Sequence, residues 1–280
     1  MIINLYWDGR DKYGETIGYQ LGERKINWLP EYLRQSKKSR GYVFAVKSLG
    51  QFSRALLADY DEVEHLSRKI EKELTAASFV RIKNDSGTDL LIDISDGRRK
   101  PRADHDGSQH RPGSGLNIPV GEVLISPVMG KSEGVAVIDL EFFDEEKRKT
   151  VKVDKPIKIT FQKGLIKSVT GGAAARRFKE IIACAEKVSK NPIELKNCRS
   201  VSEFAIGVNR RIGSKNNQPV GDLLLDEKIY GTCHIAFGSS YNNDPAPFHS
   251  DFIFSRPEIF LGDKHGHFKL ICKNRRLYVQ

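Results

Sequence analysis

Several strand-forming stretches of this chain carry acids or histidines in their midst, and that conflict limits how it can fold. Near the C-terminal end it reads Gly231-Thr232-Cys233-His234-Ile235-Ala236-Phe237-Gly238, then Tyr241, then His249-Ser250-Asp251. The aromatic and β-branched content of the stretch from Phe248 to Phe254 favours a strand, whose two-residue period puts His249 and Asp251 on one face. Upstream, Glu122 follows Asn117-Ile118-Pro119-Val120-Gly121, and Glu203 opens Glu203-Phe204-Ala205-Ile206-Gly207-Val208-Asn209. A carboxylate inside a strand-rich interior must be neutralised, protonated or coordinated. Either these glutamates lie exposed at strand ends, or they gather round a cation. Imidazole and carboxylate together suit zinc, cobalt, manganese or ferrous iron, and two histidines with one carboxylate are also the minimum set for a non-haem iron oxygenase.

The rest of the chain supplies a scaffold. At 280 residues, 39% hydrophobic and 9% aromatic, it can bury a core. From Ser53 to about Ala77 the residues Leu56, Leu57, Tyr60, Val63, Leu66, Ile70 and Leu74 recur every three or four positions, which predicts one amphipathic helix. Phe79 to Lys83 and Asp89 to Ile94 alternate around Asn84-Asp85-Ser86-Gly87 and predict a hairpin. A second hairpin is expected from Ile157 to Val169, and then a helix from about Ala173 to Val188 that buries Phe178, Ile181, Ile182 and Ala185. Short apolar segments after Arg199 read as further strands. The stretch from Arg98 to Gly115, with His105 and His110, reads as a long exposed loop, and His265-Gly266-His267 as a turn. Gly130-Lys131-Ser132 is no phosphate loop, because Ile125 stands where the first glycine is required.

Composition narrows the partners. The net charge of +10 is compatible with an anionic partner. The basic runs at Arg34–Arg40, Arg98–Arg102 and Lys147–Lys149 lack the interleaved aromatics of a base-stacking surface, which argues against nucleic acid and leaves solubility or attraction of an acidic peptide. No apolar window approaches membrane-spanning length and no signal-like opening is present, so the expectation is a cytoplasmic protein without membrane association. Cys184, Cys198, Cys233 and Cys272 form no close pair and are expected as reduced core thiols.

Taken in order, Ser53-Arg54-Ala55, Ala58-Asp59-Tyr60, Gly87-Thr88-Asp89-Leu90, the Asn-x-Pro-x-Gly-Glu phrase at 117–122, Gly-Thr-x-His at 231–234 and His-x-Asp at 249–251 resemble the thermophilic-type metalloaminopeptidases, the group of aminopeptidase T, aminopeptidase S and PepS. The resemblance implies an α+β fold: a strand-rich metal-site domain with a few packed helices over residues 53–280, preceded by a reduced N-terminal α/β segment over 1–52. It implies two divalent ions, zinc, cobalt or manganese, held by Glu122, Glu203, His234, Tyr241, His249 and Asp251, with a peptide substrate and a homodimer. Glu122 or Glu203 would serve as general base, and Tyr241 would coordinate or steady the oxyanion. The short interval between Tyr241 and His249, stiffened by Pro245 and Pro247, departs from the family pattern and puts the substrate contacts in doubt.

Two other readings stay open. A 2,5-dihydroxypyridine dioxygenase of the same architecture would need one ferrous ion on His234, His249 and Asp251, while Glu122, Glu203 and Tyr241 favour the two-metal site. A catalytically reduced peptide-binding protein, recognising an acidic peptide, fits the basic charge and the short N-terminal segment.

Overall fold

Alternation of apolar and polar residues along the strands decides this architecture, which is α+β. A computed structural model describes residues 2–4, 19–21, 24–26, 41–44, 49–103, 115–147, 149–213 and 218–279, the first four segments as backbone only. The basic run at 34–40 and both loop histidines, His105 and His110, lie outside the described residues. In chain order the elements begin with strands β1 (Ile2–Asn4), β2 (Tyr19–Leu21), β3 (Arg24–Ile26) and β4 (Gly41–Phe44), then helices α1 (Leu49–Leu56) and α2 (Tyr60–Ala76). There follow β5 (Phe79–Lys83), β6 (Asp89–Asp93), β7 (Gly115–Ile118), β8 (Glu122–Ile125), β9 (Ser132–Ile138), β10 (Glu141–Asp144), β11 (Lys149–Lys152), β12 (Ile157–Gln162) and β13 (Leu165–Thr170). Helices α3 (Ala173–Val188) and α4 (Pro192–Asn197) lead to β14 (Val201–Gly207), helix α5 (Leu223–Asp226), β15 (Cys233–Gly238), β16 (His249–Phe254), β17 (Glu258–Gly262), β18 (Phe268–Lys273) and β19 (Arg276–Leu277).

Two antiparallel sheets dominate. One runs β13-β12-β9-β6-β5-β17-β18-β19, the other β11-β10-β16-β15-β14-β8. Strands β1, β4 and β7 form a parallel sheet, and β2 pairs with β3. Both expected hairpins form, β5–β6 and β12–β13. Helix α3 spans the predicted residues and buries Phe178, Ile181, Ile182 and Ala185.

The long helix expected from Ser53 to Ala77 is instead two. The Asp59 side chain accepts a hydrogen bond from Glu62 N at 3.1 Å, capping a fresh start at Tyr60 and closing off α1 at Leu56. A capping carboxylate satisfies amide groups that a continuous helix would have bonded itself, so the chain turns there. Leu57 then points outward, 72% exposed, while Val63, Ile70 and Leu74 fill the core.

Position 178 shows how the layers meet. The Phe178 ring lies 4.5 Å from Phe252 and 5.2 Å from Phe237; Phe252 stacks on Phe142 at 4.8 Å, and Phe237 reaches Phe161 at 6.2 Å. Helix α3, strands β10, β15 and β16 of one sheet and β12 of the other thus share one aromatic cluster. Each buried Phe is worth roughly 1.5–3 kcal/mol of transfer free energy, and the ring pairs add to it. The six-stranded sheet therefore presents Phe142, Phe204, Ile206, Ile235, Phe237, Phe252 and Phe254 to the core. Their neighbours in sequence must face the other way.

Cys198, Cys233 and Cys272 are buried free thiols as expected, whereas Cys184 is exposed, on the outer side of α3. Among the described residues no helix is long and apolar enough to cross a membrane.

If Asp59 restarts the helix, Asp59→Ala costs about 1 kcal/mol of unfolding free energy and Leu57→Ala changes it by under about 0.5 kcal/mol, while Leu74→Ala costs about 2–5 kcal/mol. Urea unfolding of the three variants checks this; a loss at Leu57 matching that at Leu74 would restore the single helix.

Candidate metal centre

Register across β8, β14, β15 and β16 assembles the polar face. Directly paired residues share a face in an antiparallel sheet. Glu203 pairs with Ala236, which pairs with Asp251; Ala205 pairs with His234; Gly207 pairs with Glu122; and Gly238 pairs with His249. Glu122, Glu203, His234, His249 and Asp251 thus stand on one surface, with the small residues Ala205, Ala236, Gly207 and Gly238 between them and Leu124 and Ile253 at the ends of the Ala205–His234 row. Position 202 carries a β-bulge: Val201 pairs with Phe237 and Glu203 with Ala236, leaving Ser202 as the extra residue. Val201 and Glu203 would otherwise face the same side; the bulge lets Val201 stay in the core while Glu203 points into the polar face.

A lid of backbone presses onto this floor. A Cβ at Gly207 would come within 2.2 Å of Ile229 O and 2.9 Å of Glu227 O, so only glycine lets the segment after α5 lie on the sheet. That approach buries Glu227 and Lys228, both adjoining Glu122. The Lys228 ammonium pairs with Glu227 and stands 3.4 Å from Glu122 Oε1. Gly121 has φ of 129°, a backbone geometry reserved for glycine, and a Cβ there would strike Asn209, whose amide donates to Val120 O at 2.8 Å. These contacts fix the entry to β8.

At the centre His234 Nε2 lies 3.2 Å from Glu203 Oε1, 3.8 Å from Glu122 Oε2 and 4.0 Å from Asp251 Oδ1. His249 Nε2 lies 3.1 Å from Asp251 Oδ1 and 3.5 Å from Glu203 Oε2. His249 Nδ1 sits 2.8 Å from Ser239 O, an interaction that aims Nε2 at the carboxylates, and its backbone N–H donates to Glu145. Tyr241 is at the rim, 45% exposed, its ring 6.0 Å from that of His249 and 5.2 Å under the Arg102 guanidinium. The backbone of Arg102 bridges to Leu124, extending the sheet past β8. Asp244 ties the Tyr241 loop to Arg99 at 2.8 and 3.1 Å.

Electrostatics at the site follow from burial among excess carboxylates. Burial opposes charging of both histidines, but the hydrogen bond between His234 and Glu203, together with the negative charges of Glu227, Glu203 and Asp251, lifts His234 to about 9, and Asp251 with Glu203 lifts His249 to about 10. Burial pushes Glu227 up to about 7 against the pull of Lys228. Burial, with the charges of Glu203, Glu122, Asp251 and Glu227, holds the Tyr241 phenol well above its ordinary value. Farther along the same face, burial and the charge of Asp226 push Glu141 up to about 9. Four carboxylates thus surround two imidazoles and one ammonium, and protons make up the missing positive charge.

Divalent cations fit this donor set. Glu203 Oε2 and His234 Nδ1 are buried with no hydrogen-bond partner. Two groups of donors lie within 4.8 Å of one another, Glu122–Glu227–His234 and Glu203–His234–Asp251. Of the six residues singled out from sequence, five converge and Tyr241 borders them. Glu227, Lys228 and Glu145 are not among those six: the phrase Asp226-Glu227-Lys228-Ile229-Tyr230-Gly231-Thr232 sets acids beside a glycine and strand formers, and the flanking Leu223, Leu225 and Ile229, all buried, carry Glu227 and Lys228 inward.

Residues 53–246 match the model of the thermophilic metalloproteases, M29. The chain belongs to the M29 family. Members of M29 are metallopeptidases, so divalent metal is part of the chemistry; His249 and Asp251 lie just beyond the matched residues, brought beside Glu203 and His234 by the pairing of β16 with β15. Among solved structures the fold is similar to the 2,5-dihydroxypyridine dioxygenase of Pseudomonas putida KT2440, with 18% identity, a TM-score of 0.66, and 89% of this chain covering 67% of that one. It is likewise similar to wild-type AmpT from Thermus thermophilus, with 13% identity, a TM-score of 0.63, and coverage of 90% and 80%. No curated protein matches in sequence.

Because both imidazoles carry protons at neutral pH, binding zinc or cobalt must release them, so affinity climbs as pH rises toward those raised values. Calorimetry in buffers of different ionisation enthalpy reads the proton count; a binding enthalpy independent of buffer contradicts the protonated site. Gly207→Ala lifts the lid off the floor, costing about 1–3 kcal/mol of stability and weakening zinc binding, as denaturant titration and equilibrium dialysis would show.

Proposed function

We propose that the chain is a metal-dependent, aminopeptidase-like hydrolase acting on the free N-terminus of short peptides, with Glu122, Glu203, His234, His249, Asp251 and the rim residue Tyr241 holding zinc, cobalt or manganese. The observation that carries this reading is the convergence of two glutamates, two histidines and an aspartate on one sheet face in a member of a metallopeptidase family. Divalent cations bound there would polarise the scissile carbonyl and acidify a water.

The remaining roles belong to side chains. A surplus of carboxylates in a buried pocket attracts the ammonium of a peptide N-terminus and disfavours an acylated one. Glu203 keeps one oxygen, Oε2, free of hydrogen bonds, and it is placed to accept a proton from the attacking water. Tyr241, whose phenol stays protonated at neutral pH, can donate to the developing oxyanion from the rim. Ser239, through its carbonyl, fixes the orientation of His249.

A second reading, a ferrous ring-cleaving dioxygenase using His234, His249 and Asp251, draws on the likeness to the Pseudomonas putida dioxygenase. Glu122, Glu203 and Glu227 crowd the same space, whereas a single iron must keep positions open for oxygen and substrate. A peptide-binding protein without turnover is the third.

An aminoacyl-amide screen with added cobalt, zinc or manganese should give turnover that a chelator removes, and Glu203→Gln should lower kcat by about 10²–10⁴-fold with the fold intact. N-acetylated peptides should resist cleavage; their hydrolysis at the same rate as free ones rules out N-terminal recognition. Oxygen uptake with ferrous iron and a dihydroxypyridine would favour the dioxygenase, and an inert protein that retains an acidic peptide the binding role.

A further inference from the structure

Lys228 is a charged residue with no exposure, in the middle of a site built from metal-type donors. Its ammonium touches Glu227, stands 3.4 Å from Glu122 Oε1 and donates to Leu224 O at 3.1 Å. Glu122 and Glu227 are two of the three donors in one of the two groups able to hold an ion; the third is His234. The other group, Glu203, His234 and Asp251 with His249 beside it, has its own contacts and includes the bare Glu203 Oε2. The donors therefore divide into a corner whose positive charge is a lysine ammonium, which is no ligand, and a corner whose imidazoles can themselves coordinate an ion.

That charge is hard to move. The backbone of Lys228 accepts from Asn209 N at 3.0 Å, and the lid segment that carries it lies on Gly207, where even a methyl group would collide. Lys228 is fully buried, out of reach of bulk solvent, so a dication entering the Glu122–Glu227 corner would meet a close, weakly screened like charge and would have to compete for the same oxygens. An ammonium neutralises carboxylates as a metal does but offers no coordination position.

We propose that the Lys228 ammonium stands in for one of the two cations the cluster can accommodate: the chain holds one divalent ion tightly, on Glu203, His234, His249 and Asp251, and a second only weakly, at Glu122 and Glu227. This rests on the reading of the cluster as a metal centre. It makes the two halves of the site chemically unlike, one a metal corner and one a lysine-capped corner whose ammonium can donate hydrogen bonds.

The test is metal stoichiometry, independent of turnover. Metal-depleted wild-type protein, Lys228→Met and Lys228→Arg are titrated with zinc by calorimetry, and bound zinc is counted by elemental analysis after desalting. Wild type and Lys228→Arg should retain one zinc, any second binding being roughly a hundredfold weaker or more. Lys228→Met should take two of comparable affinity, and its melting temperature should rise more with zinc than that of wild type, because the ion replaces the missing charge. Two equally tight ions in the wild type overturn the proposal while leaving the metallopeptidase reading untouched. So does a folded Lys228→Met that still binds one. Absence of zinc binding in every form overturns both. Should Lys228→Met fail to fold, the wild-type titration decides alone: one tight ion supports the proposal and two overturn it.

Discussion

A sheet buried on both faces but apolar on only one must supply counter-charge for the other. The six-stranded sheet is in that position. The aromatic cluster around Phe178 and Phe252 fixes which face of β10, β15 and β16 is turned to the core, and strand geometry then consigns Glu203, His234, His249 and Asp251 to the opposite face. Hydrophobic packing thereby concentrates charge, since each Phe locked inward locks an acid or imidazole outward beside it. Covering that face with the segment after α5 removes water as a screen, and raised imidazole pKa values, a buried lysine and affinity for cations all follow from the same enclosure.

Much of this was legible in the residues. The spacing of His249 and Asp251, the hairpins around Asn84 and Lys163, and helix α3 with its buried stripe follow from periodicity and turn chemistry. The gathering of distant phrases came from the family resemblance rather than from spacing. What periodicity alone misread was local competition. Leu56, Leu57 and Tyr60 keep helical spacing with Val63, yet the Asp59 carboxylate captures an amide and divides the helix, a choice between near-equal hydrogen-bonding arrangements that hydrophobic pattern does not weigh. The burial of Glu227 and Lys228 was harder to read for another reason: an acid beside a lysine has the signature of solvent exposure, and it is the glycine opposite, Gly207, that lets backbone come down there.

The likeness to both a dioxygenase and AmpT lies in the fold, and a fold by itself does not fix the chemistry it carries. Here the distinction lies in carboxylate number. Glu122, Glu203 and Glu227 bring more negative charge than one ferrous ion with two imidazoles and an aspartate needs.

The extra residue at Ser202 has a consequence for how such a site changes over time. Side chains swap sides of a strand with each residue, so the phase of β14 is a binary variable set by one inserted position. Replacing an amino acid there alters size or polarity; pairing all three residues regularly, with no bulge, would turn Val201 outward or Glu203 into the aromatic cluster. Loss of the Ser202 codon would therefore straighten the strand and leave Val201 and Glu203 on their present faces, because their partners, Phe237 and Ala236, are already consecutive.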